Sequence, residues 1–313
     1  PPMRLAAIDV GTNTALMLVA DYLPGQTPRL QAVADFLEMP RLGQDLDRTG
    51  RLHPEAIART LAALRRQLER AKEHGVAQVL IVGTESMRAA ANSAELLTQI
   101  AELGVPLRII SGDEEARLSF RSVVESLPKP SAGALSVLDI GGGSTELVVG
   151  GKDSGWKPFK WQSVKVGSVR MHERHLHSDP PTPSEQAALR TTIRAAIKDL
   201  PQARGPLVAL AGTATTLGAL HLGLKEHDSK RLDGLKLPVA ALTQLLARLA
   251  TMTVAQRCEL PGLDVRRADV IYAGGVILEE VALQAGVDEV IISDRGVRWG
   301  VLEELADSLG RPA

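Results

Sequence analysis

Cysteine is almost absent: Cys258 is the only one in 313 residues. One thiol excludes an intrachain disulfide framework and fits a reducing cytosol. No apolar run approaches the ~20 residues of a membrane span. The start of the chain lacks the charged and apolar regions of an export signal, so the expected location is cytoplasmic. An excess of either charge is also missing. The 36 basic and 37 acidic residues leave a formal net charge of −1. Neither a nucleic-acid partner nor a membrane surface is expected, and an anionic ligand must be held by a local basic site. Pro1 and Pro2 ahead of Met3 read as residues preceding the natural start.

What is present is apolar sequence in quantity. Hydrophobic residues make up 44% of the chain, enough for two cores, and the length suits two domains. Apolar β-branched runs alternate with amphipathic segments, which is an α/β pattern. Strands are expected at 5–10, 16–20, 30–37, 79–82, 107–110, 135–140, 147–149, 207–211 and 290–292. Ile57, Leu61, Leu64 and Leu68 mark one helix, with Arg59, Arg65, Arg66 and Arg70 on its other face. Leu189, Ile193, Ile197 and Leu200 mark another, opened by the capping box Thr182-Pro183-Ser184-Glu185. Asn92-Ser93-Ala94-Glu95 opens a third, with Gly104 as its expected end. The Pro- and Gly-containing stretch 127–133 reads as a linker.

One internal echo outweighs these elements. Asp9-Val10-Gly11-Thr12-Asn13-Thr14 is matched by Asp139-Ile140-Gly141-Gly142-Gly143-Ser144, and both Asp and first Gly recur after the same 130 residues. Each segment reads as strand, tight turn, strand. Two such hairpins, one per domain, imply a ligand cleft between the domains.

The turns have phosphate chemistry. Glycine lets backbone amides approach an anion, and Thr12, Asn13, Thr14, Ser144 and Thr145 add side-chain donors. A single turn of this composition is as well explained by an ordinary hairpin; the matched pair is not. Asp139 and Glu146 bracket the second turn and suit a hard divalent cation bridging to phosphate oxygens. Ser111-Gly112-Asp113-Glu114 is a capping box that occupies Glu114. Glu115 does not fit that role and is the better general base. Arg88, after the strand 79–82, reads by itself as a surface salt bridge first and as a bidentate phosphate clamp second. Gly212-Thr213 after the strand 207–211 has the composition of a third phosphate turn leading into a helix. Gly274-Gly275 is read as preceding another helix. His172, His175 and His177 miss the His-Glu-x-x-His zinc spacing by one residue and read first as a solvated basic patch. With Lys165, Arg170 and Arg174 the same segment is a candidate polyanion track, to which Arg267 and Arg295 are further candidates.

These motifs together resemble the exopolyphosphatase and guanosine pentaphosphate phosphohydrolase (Ppx/GppA) family, over nearly the whole chain. Residues 8–14 resemble its first phosphate motif. Asp139-Ile140-Gly141-Gly142-Gly143-Ser144-Thr145-Glu146 matches the second residue for residue. Thr84-Glu85-Ser86-Met87-Arg88 is similar to its Thr-Ser-Ala-x-Arg segment, with Glu85 and Ser86 as departures. Ser111-Gly112-x-Glu114-Glu115-Ala116-Arg117 is similar to the signature whose second glutamate is the catalytic base. Gly212-Thr213-Ala214-Thr215-Thr216, Leu260-Pro261-Gly262-Leu263, Arg267-Ala268-Asp269 and Ser293-Asp294-Arg295-Gly296 also match.

The resemblance implies two actin-like, ribonuclease H-like domains with an interdomain cleft: residues 1–124 with 297–313, and residues 125–296. The helix Val297–Leu309 is expected to return to the first domain. The chain stops where longer members continue into a helical HD-type domain, so the resemblance is to the short form. The implied activity is removal of the terminal phosphate of inorganic polyphosphate, dependent on Mg²⁺ or another divalent cation, with water activated by Glu115. The alternative is conversion of pppGpp to ppGpp. A more distant one is an ATP-dependent small-molecule kinase of the same superfamily, against which Glu115 argues. A homodimer is the candidate assembly.

Overall fold

The computed structural model describes residues 2–310; Pro1 and residues 311–313, counted above with the first domain, lie outside the described residues. The chain divides into two compact units, Pro1–Leu118 with Val297–Ala313, and Ser119–Gly296.

The first unit contains strands β1 (Met3–Val10), β2 (Ala15–Tyr22), β3 (Leu30–Glu38), β4 (Gln78–Gly83) and β5 (Leu107–Ile109). Its helices are α1 (Leu46–Thr49), α2 (Pro54–Glu73), α3 (Glu85–Ala89), α4 (Ser93–Ala101) and the start of α5 (Gly112–Val124). The sheet order is β3-β2-β1-β4-β5. β1, β2 and β3 are antiparallel neighbours, whereas β4 and β5 run parallel to β1.

The second unit repeats the plan with β6 (Ala134–Ile140), β7 (Thr145–Gly151), β8 (Lys157–Val164), β9 (Leu207–Leu210), β10 (Lys236–Pro238) and β11 (Glu289–Ile292). Its helices are α6 (Ser168–His175), α7 (Pro183–Ile197), α8 (Ala211–Leu222), α9 (Ser229–Leu232), α10 (Val239–Ala250), α11 (Val254–Cys258) and α12 (Ile271–Ala285). The order β8-β7-β6-β9-β11 reproduces that of the first sheet, with β10 added as an antiparallel edge. This shared order, three antiparallel strands followed by parallel ones, is the ribonuclease H-like arrangement. The protein consists of two actin-like α/β units.

The sequence explains why the sheets are covered on both faces. In β1, Ala6, Ile8 and Val10 face one cluster, and Leu5 and Ala7 face another. The strand therefore reads as an unbroken apolar run, as a doubly covered strand must. The first cluster buries Ile57, Leu61 and Leu64 of α2. The second buries Leu302, Leu305 and Ala306 of α13 (Val297–Leu309), which returns to the first unit as expected. Its approach is close: a Cβ on Gly300 would lie 2.4 Å from the Leu118 carbonyl oxygen. Fully buried Leu302 contributes about 1.5–3 kcal/mol relative to an exposed leucine.

Four helices, α7, α8, α10 and α12, build the large core of the second unit on Leu138, Ile140, Leu207 and Ala209. The Thr182 cap closes as the sequence implies. Glu185 N–H donates to Thr182 Oγ1 at 3.2 Å, and Thr182 N–H to Glu185 Oε2 at 2.9 Å.

Three expectations are corrected. β8 and β10 were not anticipated, because β8 is an edge strand carrying Lys157, Pro158 and Lys160, the composition that blunts a sheet edge. Strand β9 stops at Leu210; Ala211 turns into the left-handed region (φ 70°) and begins α8. Gly274 and Gly275 lie inside α12, not ahead of it. They permit contact, since a Cβ on Gly274 would come within 2.6 Å of Thr213 Oγ1.

Candidate active site

The two hairpin turns share one pattern of backbone bonds. At residues 11–14, Gly11 N–H donates to Thr14 O at 2.8 Å, while the carbonyls of Thr12 and Asn13 accept from Gly43 N (2.9 Å) and Arg41 N (3.1 Å). At residues 141–144, Gly141 N–H donates to Ser144 O at 2.9 Å. There the Gly141 carbonyl accepts from Ser168 N (2.9 Å), and the Gly142 carbonyl from Val169 N (2.9 Å) and Arg170 N (3.0 Å). Arg170 Nε takes the Gly143 carbonyl at 2.8 Å. In both turns the carbonyls are thus tied back. The amides of Thr12, Asn13 and Thr14, and of Gly142, Gly143 and Ser144, meet no acceptor among the described residues. Three successive unclaimed N–H groups are the donors that an anion nest would need.

Beside the first turn, Thr84 N–H donates to Val10 O at 3.2 Å and anchors the start of α3. Arg88, one turn on, donates Nη1 to Ile110 O (2.7 Å) and Nη2 to Glu115 Oε2 (2.9 Å). Its Nη2 also reaches Glu85 Oε2 at 3.3 Å. Glu115 is 8% exposed. The two adjacent glutamates divide as the sequence suggests. Ser111 and Glu114 form the capping box, at 3.1 and 3.4 Å, and Glu114 also accepts from Arg108 at 2.7 Å. Glu115 is turned inward onto Arg88.

Beside the second turn, Asp139 and Glu146 stand opposite each other in the β6–β7 register. Both are buried, at 8% and 1% exposure. Ser119 Oγ donates to Asp139 Oδ2 at 2.7 Å, and Ser163 Oγ to Glu146 Oε1 at 2.6 Å. Two facing carboxylates repel unless a cation lies near them. Hard oxygens in this number suit Mg²⁺, which takes one or two protein carboxylates and completes its shell with water and phosphate. Among the described residues no group of three His, Cys, Asp or Glu side chains is placed to cage a metal.

Gly212 and Thr213 form no separate turn but lie in the first turn of α8, where they are joined to the second hairpin. Gly274 of α12 packs against both Thr213 and Ser168, and Ser168 N–H holds the Gly141 carbonyl. A Cβ on Gly212 would lie 1.7 Å from Arg267 Nη1, so the guanidinium lies against the first turn of α8. Burial pushes Arg267 down to about 10, while Asp264 pulls it up; it stays cationic at neutral pH. Of the other expected track residues, Arg170 touches the second turn. Lys165 and Arg174 are exposed, just past β8 and in α6, and Arg295 is partly buried after β11.

Residues 18–309 match the model of the Ppx/GppA phosphatase family. The chain belongs to this family. The Ppx/GppA chain is a phosphoanhydride hydrolase. It is 38% identical over 320 residues to exopolyphosphatase 2 of Mycobacterium tuberculosis, covering 97% of this chain and 98% of that protein. The crystal structure of the Aquifex aeolicus Ppx/GppA family member is similar with a TM-score of 0.82 at 29% identity, covering all of both chains. An exopolyphosphatase from Cytophaga hutchinsonii gives a TM-score of 0.86 at 25% identity, covering 98% of each chain. Among the described residues of this Ppx/GppA chain, no helix is long and apolar enough to cross a membrane.

Sequence reasoning missed Ser119 and Ser163. Ser119 lies four residues after Glu115 on α5, a helical spacing that could have drawn attention to it. Ser163 gave no signal, because β8 itself was not recognised. It also missed the engagement of Arg88 by Glu85.

Proposed function

We propose that this chain is a divalent-cation-dependent exopolyphosphatase that releases the terminal phosphate of inorganic polyphosphate with Glu115 as general base. The observation that carries the reading is the buried Glu115 carboxylate held by Arg88 at 2.9 Å, on the same unit as an open amide nest. A base seated at a phosphate site points to water as the acceptor. The exopolyphosphatases among its relatives support inorganic polyphosphate as the substrate.

In this mechanism the amides and hydroxyls of residues 12–14 and Arg88 bind phosphate oxygens in the first unit, and those of residues 142–145 and 213 do so in the second. Arg267 and Arg170 add positive charge at the second unit's turns. These donors stabilise charge on the phosphoryl oxygens as the bond to the leaving phosphate lengthens. Glu115 orients a water and takes its proton as the water oxygen bonds to phosphorus. The anhydride P–O bond breaks, and the chain leaves one phosphate shorter. Asp139 and Glu146 would hold hydrated Mg²⁺, oriented by Ser119 and Ser163. When bound, the ion supplies charge neutralisation on the phosphate oxygens.

Phosphate release from long-chain polyphosphate, triphosphate and pppGpp, assayed side by side with and without Mg²⁺, tests this. The fastest release is expected from polyphosphate, and none in the presence of a chelator. A kcat/KM for pppGpp at least about tenfold above that for polyphosphate would transfer the assignment to the nucleotide. Phosphate transfer only when a hydroxylated acceptor is added would make the protein a kinase.

A further inference from the structure

Glu85 departs from the serine that the family motif carries at this position, and the fold gives it a definite place. It is the first residue of α3, is 8% exposed, and follows Thr84, whose amide is tied to the first phosphate turn through Val10 O. Its carboxylate and that of Glu115 both accept from Arg88 Nη2, at 3.3 and 2.9 Å. The other terminal nitrogen, Nη1, donates to the Ile110 carbonyl at 2.7 Å. All three side chains are largely withdrawn from water, with side-chain exposures of 19% for Arg88, 11% for Glu85 and 10% for Glu115. One cation is therefore shared by two carboxylates where Coulomb interactions are only weakly screened.

An arginine held by a single carboxylate pairs with it and still attracts an incoming anion. A second carboxylate on the same nitrogen weakens its field toward an anion further. A phosphate reaching Arg88 must then displace or outcompete Glu85. We infer that Glu85 is a positioning residue that weakens the grip of Arg88 on phosphate, so that the site exchanges chain for product instead of retaining the released phosphate. This rests on the proposed role of Arg88 as a phosphate clamp. The carboxylate also holds Arg88 by an i,i+3 contact within α3, so Arg88 stays aimed at Glu115 between turnovers.

The test is calorimetric binding of inorganic phosphate together with kcat, KM and product inhibition, for wild type, Glu85→Gln, Glu85→Ser and Glu85→Asp. The neutral variants are expected to bind phosphate roughly tenfold more tightly, with KM for polyphosphate and the inhibition constant for phosphate falling together. Their kcat falls as product release slows. Glu85→Asp keeps the charge and is expected to hold phosphate affinity within about twofold of wild type. Unchanged or weaker phosphate binding in Glu85→Gln overturns the inference. Failure of both neutral variants to fold while Glu85→Asp folds also overturns it, by giving Glu85 a purely structural role. Arg88→Gln separates this from the reading beneath it. If that variant binds phosphate as wild type does, the clamp role of Arg88 fails. If it binds more weakly while Glu85→Gln is unchanged, only the role of Glu85 fails.

Discussion

The hairpin of residues 9–16 and the hairpin of residues 139–146 have the same backbone and different chemistry. Each closes its turn with an N–H from the first glycine and leaves three amides without an acceptor among the described residues. Across the strands, however, Asp9 faces Leu16, whereas Asp139 faces Glu146. The supports differ too. Backbone amides of residues 41 and 43 hold the first turn, and the start of α6 holds the second. The first unit contributes Arg88 and Glu115, and the second a carboxylate pair seated by serines. A repeated fold element thus recurs in both units, and single side chains on its flanks separate the proposed base from the proposed metal ligands.

The largest effect should come from removing that distinction. Asp139→Asn or Glu146→Gln is expected to raise the Mg²⁺ concentration for half-maximal rate by more than about tenfold. Asp9→Asn, in the equivalent position of the first hairpin, should leave the metal requirement nearly in place. Equal shifts in a Mg²⁺ titration of all three variants would erase the asymmetry.

A smaller effect distinguishes the two supports. A Cβ on Gly167 would fall 2.4–2.5 Å from backbone atoms of Gly142 and Gly143, which cannot yield without moving the turn. A Cβ on Gly43 would meet the Thr12 Cγ2 methyl at 2.2 Å, and a threonine rotor can turn away. Gly167→Ala is therefore expected to cost about 1–3 kcal/mol and to lower kcat/KM at least about tenfold. Gly43→Ala should cost under about 1.5 kcal/mol. Chemical denaturation with parallel kinetics gives both numbers, and a reversed ranking would show that the α6 support is the softer one.

The smallest effect concerns α6 itself. Burial, with like charge from Arg174 and His177, holds His175 below the ordinary imidazole range. A depressed folded-state value means its contribution is complete above the unfolded value of about 6.5. It is lost as pH falls through the folded value. Thermal unfolding from pH 8 to 5 should therefore show a steeper acid loss in wild type than in His175→Gln, by less than about 1 kcal/mol. Superimposable curves would remove His175 from the account.

Much of this was legible beforehand, for physical reasons. Central strands such as β1 and β6 are covered on both faces and so declare themselves as apolar runs. The Thr182 and Ser111 caps follow from side chains that bond within three residues. The 130-residue echo exposed the duplicated hairpin because turn chemistry is local. What escaped was decided by distant contacts or by weak pattern. The edge strand β8 has lysines and a proline where a core strand has valines. Gly274 could not be told from a helix boundary until Thr213 and Ser168 were seen against it. The seating of Asp139 by Ser119 joins residues twenty positions apart and carries no periodic signal. Glu85 was visible as a departure from the motif, but its sharing of Arg88 with Glu115 needed the fold.

Glu115→Gln examines the central claim most directly. Phosphate release from polyphosphate, measured at saturating substrate and Mg²⁺, is expected to fall by about 100-fold or more. Calorimetric affinity for a non-hydrolysed phosphate chain should be undiminished, because the turn amides stay in place and Arg88 loses only a neutralising carboxylate. Turnover within about tenfold of wild type would contradict the assignment of Glu115 as the base that activates water.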